Sequence, residues 1–79
     1  GLRDPKLAVV FATEADRLAG GRDPTARDIL AAAHAAAGRF ADAVTAAESA
    51  ADLARQAGRM DLARQVDARA AAVSYTHLT

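Results

Sequence analysis

Pro24-Thr-Ala-Arg-Asp-Ile-Leu-Ala-Ala-Ala-His-Ala-Ala-Ala-Gly-Arg-Phe-Ala-Asp-Ala-Val-Thr-Ala-Ala-Glu-Ser-Ala-Ala-Asp-Leu-Ala54 decides the fold. Asp23, just before it, is a suitable N-cap, because its carboxylate can accept from the free amides of the first turn and favours the positive end of the helix dipole. Pro24 follows at the first helical position, where a missing amide costs nothing. Ala, Leu and Arg are strong helix formers, so the helix is expected to run to Ala37. Gly38 can adopt the left-handed conformation of a helix stop. A second helix is expected from Phe40 to Ala57, with Gly58 as the next stop. Small residues recur at three- and four-residue spacing on both helices. Phe40, Ala43, Val44, Ala47, Ala50 and Leu53 form the stripe on the second. Small residues let two backbones approach closely, so a tight antiparallel pair is expected.

The flanks repeat this grammar. Asp4-Pro5 is a second cap-plus-proline start, and the helix it opens, residues 5–19, carries the stripe Ala8, Phe11, Ala12, Ala15, Leu18 before Gly20-Gly21-Arg22 ends it. At an offset of 35 residues, Ala8 aligns with Ala43, Val9 with Val44, Ala12 with Ala47, Ala15 with Ala50 and Leu18 with Leu53. After Gly58, residues 59–73 are expected to form a fourth helix with one apolar stripe of Leu62, Val66, Ala70 and Val73. Arg59, Asp61, Arg64, Asp67 and Arg69 occupy much of the remainder, as suits a terminal helix with nothing stacked on its outer side. Leu62 lies 35 residues after Arg27. The expectation is therefore an all-α chain of about four helices.

With 79 residues the chain makes one small domain, and its apolar share of 52% is mostly alanine, so the core is expected to be weak and to need neighbours. Ten basic and ten acidic residues cancel, which argues against a general nucleic-acid binder with its basic face. Without cysteine there are no disulfides and no Cys-type metal sites. No apolar run is long enough to span a bilayer. The chain reads as a segment of a longer protein.

The central pair resembles the tetratricopeptide repeat, whose pattern is Trp-x-x-Leu-Gly-x-x-Tyr, a Gly turn, Ala-x-x-x-Phe, a further Ala and a Pro, with a period near 34 residues. Here Leu30, Ala31, His34, Gly38, Phe40, Ala43 and Ala50 occupy pattern positions. Arg27 stands where a large apolar residue is usual, Ala47 replaces an aromatic residue, and Arg55 stands near the expected Pro. The run Asp4–Val73 is also similar to the C-terminal end of long bacterial repeat arrays. The resemblance implies an α-solenoid fragment of antiparallel hairpins: residues 5–19 as the second helix of a preceding repeat, 24–57 as a full hairpin and 59–73 as a capping helix. It further implies protein–protein interaction or scaffolding, with a neighbouring repeat or a partner helix as the bound protein, no enzyme activity and no cofactor. The compartment is open, with the bacterial cytoplasm slightly favoured. The other readings are the non-catalytic C-terminal segment of a glycosyltransferase-like enzyme and a small self-associating helical bundle. Residues 74–79, Ser-Tyr-Thr-His-Leu-Thr, break the pattern, resemble translated sequencing-adapter sequence and are assigned no function; a short native tail is the alternative.

Repeats of this family line a concave groove with their first helices, which here would present Thr25, Asp28, Ala32, Ala35 and Ala36. Family members that clamp a peptide carboxylate use Lys and Asn on this face, and Asp28 and Ala32 do not supply that chemistry. Other candidate chemistry is thin. His34, as a general base or metal ligand, lacks partners, and is read as filling the apolar slot usually held by Tyr. Glu14 with Asp16, and Glu48 with Asp52, could be paired carboxylates, but catalysis needs a cleft and perturbed environments, so they are read as solvated charge. Gly20-Gly21-Arg22 is too short to cradle a phosphate.

Overall fold

The computed structural model describes residues 4–78, with side chains as far as Tyr75. It is all-helical, with four helices and no strand among the described residues: α1 Pro5–Leu18, α2 Pro24–Ala36, α3 Phe40–Gln56 and α4 Met60–Leu78. Both Asp-Pro starts form as the sequence suggests. Asp4 accepts from the amides of Lys6 (3.0 Å) and Leu7 (3.3 Å), and Asp23 accepts from that of Thr25 (2.9 Å). α3 starts without a side-chain cap at Arg39.

The helix stops are alike. Gly38 lies at φ +78°. Its amide donates to the Ala35 carbonyl and the following Arg39 amide to that of His34, the paired bonds of a Schellman turn. Gly58 repeats this with Arg55 and Ala54, and Gly20 with Gly21 on Arg17 and Asp16. α4 runs on past the expected boundary at residue 73 and through Leu78. Residues 74–78 hold no Gly or Pro, and β-branched or hydroxyl residues lower helix propensity by only a few tenths of a kcal/mol each, about 0.5 at most. Thr79 lies outside the described residues.

Each helix packs on its neighbours in sequence, with α2 and α4 flanking α3. The core is made almost entirely of alanine. Ala50, Ala51 and Ala54 are fully buried, Ala43 is 2% exposed, and the largest fully buried side chain is Val66. Ala31 and Ala70 join the cluster, with Leu30 and Leu62 against its edge. The buried face of α3 is thus rotated from the expected stripe. Ala46, Ala51 and Ala54 are inside, while Phe40, Val44 and Leu53 are half-buried at the margins. The reason is steric: with a helix on either side, only methyl groups let both backbones approach. On α1 the expected stripe is covered only in part. Val9 and Ala12 are buried, but Phe11 and Leu18 are 65% and 72% exposed, because among the described residues α1 packs extensively only on α2. On α4 the stripe forms as expected, with Val66 and Ala70 buried and Leu62 and Val73 half-buried.

Gly38→Val places a β-branched residue at positive φ, with no neighbour within 4 Å to interfere, so the cost is conformational. The substitution should lower stability by about 1–2 kcal/mol, read as a fall in the thermal midpoint; an unchanged midpoint would refute the cap assignment.

Candidate functional site

Three of the five groove residues expected from the sequence come together. Asp28, Ala32 and Ala35 form one wall of a hollow of about 310 Å³. Its floor is Ala43 and Ala47 of α3, and its second wall is Arg69, Ala70, Ala72 and Val73 of α4. Thr25 and Ala36 are exposed and stand outside it. Of the residues read as structural, Ala31, Ala43 and Ala50 are buried, Leu30, His34 and Phe40 are half-buried, and Gly38 makes the turn.

The α4 wall was not foreseen; in the 35-residue register only Ala70 aligns with a residue of the α2 wall, Ala35. Arg69 reaches across and pairs with Asp28, so α2 and α4 are joined at the rim by an ion pair while the interior stays apolar. Asp28 is the more enclosed partner, its side chain 16% exposed against 58% for Arg69. A hollow of this kind has no nucleophile, no converging acid and base, and no cluster of donors. It can accept apolar side chains or a closely packed helix, with one charged pair available to orient polar groups at the edge.

The polar residue that sequence reasoning undervalued is Arg27. Standing where the repeat pattern has a large apolar side chain, it makes three bonds to three places. Nε donates to Asp16 of α1 (2.9 Å), one terminal nitrogen to Ser49 of α3 (2.7 Å) and the other to the Gly21 carbonyl (2.9 Å). The Arg27 and Asp16 side chains are 24% and 13% exposed, so this is a partly dehydrated pair. Its planar fork suits simultaneous bonds in fixed directions. The pattern Asp16…Arg27…Ser49 has no periodicity of its own, and only the fold brings it together.

The carboxylate pairs dissolve into separate contacts. Glu14 pairs with Arg17 on the open face of α1, whose guanidinium holds its carboxyl below the ordinary range, whereas Asp16 turns inward to Arg27. Full exposure leaves the Glu14 pair with little weight, and what it contributes is present above the ordinary carboxylate range and fades as acid protonates Glu14. Asp52 pairs with Arg55, which also reaches Asp67 of α4 (2.9 Å), while Glu48 is exposed. Asp16 is therefore not the solvated charge expected of it: the Arg27 guanidinium draws it into the α1–α2 contact. His34 is half-buried, with Nδ1 shielded from solvent and unpartnered among the described residues. No three His, Cys, Asp or Glu side chains among the described residues converge as a metal site.

Arg27→Leu should destabilise the chain by about 2 kcal/mol, short of the loss at a fully buried pair because a quarter of Arg27 meets solvent. Adding Asp16→Ala should recover part of that loss by removing the stranded carboxylate. Chemical denaturation of the two single variants and the double variant measures the coupling; strictly additive effects would sink the hub. No protein-family model, curated protein or solved structure matches the chain.

Proposed function

We propose that the chain is a protein–protein interaction or scaffolding module of tetratricopeptide type, with no catalysis of its own. The observation that carries this reading is the apolar hollow between α2 and α4 over the alanines of α3. Support also comes from the shape. The Cα trace measures 35 × 34 × 16 Å, and its thin dimension has room for two packed helix layers and not for three. Two layers, with α2 and α4 side by side over α3, are what stacked hairpins produce. The repeated Asp-Pro starts, the repeated glycine stops and the 35-residue register support it from the sequence.

The groove is alanine-walled, so its ligand is an amphipathic helix or an apolar side chain able to enter a narrow channel. The Asp28–Arg69 pair at its rim favours a ligand with polar groups beside its apolar face. No helix among the described residues is long and apolar enough to cross a membrane, so this segment offers no insertion of that kind.

Selection of helical peptides against the chain, followed by calorimetry, tests the reading. Ala35→Trp, which fills the groove, should weaken any selected ligand at least tenfold while the thermal midpoint stays near that of the parent. Failure to recover a helical ligand, or ligands indifferent to Ala35→Trp, would refute the groove as a binding face.

A further inference from the structure

The groove between α2 and α4 is electrically uneven, and the unevenness says which helices suit it. Asp28 and Arg69, together at one end, are its only charged lining residues among those described. From there Ala32 and Ala35 on α2, and Ala72 and Val73 on α4, continue it with apolar side chains alone. The rise from Asp28 to Ala35 is about 10 Å, two turns of helix. The two charges are not offered equally to a ligand. The Asp28 side chain is 16% exposed and already accepts from Arg69, whereas that of Arg69 is 58% exposed. One terminal nitrogen of the guanidinium goes to Asp28, and its other N–H groups have no partner among the described residues. Asp28 thus holds the guanidinium at the rim and leaves donors open on it, and a planar fork can serve a second carboxylate at the same time. An incoming helix meets a positive end and a bare apolar length.

We propose that the groove selects helices carrying a side-chain carboxylate at one end of a two-turn row of small apolar residues, and that Arg69 is the residue that reads it. Asp28 is a positioning residue that fixes the guanidinium. The proposal rests on the groove reading above and adds to it the sign of the ligand's charge and its place in the row. A ligand with Lys or Arg in that place meets the exposed guanidinium before it meets the more enclosed Asp28, and is rejected by like charge. A neutral ligand gains the apolar contact alone. Because the charge sits at one end, it also sets register. Sliding the helix by one turn carries its carboxylate from Arg69 to the alanine-lined stretch, which offers no side-chain donor.

The probe is a displayed library of alanine- and leucine-rich amphipathic helices, fused through their C-termini so that every carboxylate in them is a side chain. Against the parent chain, the recovered helices should carry Glu or Asp at one end of the apolar row more often than Lys or Arg. Synthetic copies of one recovered helix, blocked at both ends and bearing Glu, Gln or Lys at that place, should bind in that order by calorimetry. Glu should lead Gln by roughly threefold, the scale of a half-exposed ion pair, and raised salt should narrow the gap. Arg69→Gln should erase the gap and leave binding of the Gln helix nearly unchanged. If that variant folds poorly with Asp28 left unpaired, Asp28→Asn combined with Arg69→Gln removes both charges and carries the same expectation. Equal affinities for the Glu and Gln helices, or a gap that survives the loss of Arg69, overturns the proposal. Where those helices still lose binding with Ala35→Trp, this inference alone falls and the groove stands. If no helix is recovered, or none responds to Ala35→Trp, the groove reading falls and takes this one with it.

Discussion

Ala43, Ala47, Ala50, Ala51 and Ala54 fill the face of α3 between its two neighbours, so little more than a methyl group separates backbone from backbone there. That closeness sets the other dimensions. It allows α2 and α4 to sit over the same helix, leaves between them a channel too narrow for bulky walls, and pushes Phe40, Val44 and Leu53 to the margins. It also limits the driving force. A buried alanine removes far less apolar surface from water than a buried leucine, and hydrophobic stabilisation scales with that surface. A chain organised this way gains close contact and gives up bulk.

Arg27 works against that deficit by a different route. A large apolar residue in its place would bury surface; a guanidinium instead fixes directions, tying α1, the Gly21 turn and α3 to α2 through one side chain. The chemistry suits a small core, because three bonds to three elements restrain relative positions that soft alanine packing leaves weakly determined. The desolvation cost is moderate, since both Arg27 and Asp16 keep some contact with solvent. Arg55 and Arg69 repeat the device on the more exposed side, joining α4 to α3 and to α2.

What was legible in the sequence was local. Asp-Pro starts and glycine stops are interactions within four or five residues, so reading them needs no tertiary knowledge, and the four helices follow within a residue or two except at the end of α4. Facing is not local. Phe11 and Leu18 belong to an apolar stripe at helical spacing, yet they are exposed, because a stripe reports a preference for cover and does not supply the cover. The inward face of α3 was legible only in part, through Ala43, Ala47 and Ala50, since in a helix so rich in alanine the large residues mark the stripe and the small ones occupy it. Half of the groove was visible through the residues of α2. The other half, Arg69 and its neighbours, depends on how α4 lies across α3, which no spacing within α4 encodes.

The order of contacts along the chain bears on how the fold is reached. Every substantial helix–helix contact joins elements adjacent in sequence, across turns of three to five residues. Closing such short loops costs little entropy, and chains dominated by local contacts fold fast. Assembly can begin at α2–α3 or α3–α4, where packing is most extensive, and spread one helix at a time. α1, held by α2 and by the Arg27–Asp16 pair, is then the last element to join and the first to leave, so the thermodynamic edge of the molecule coincides with its most apolar exposed surface.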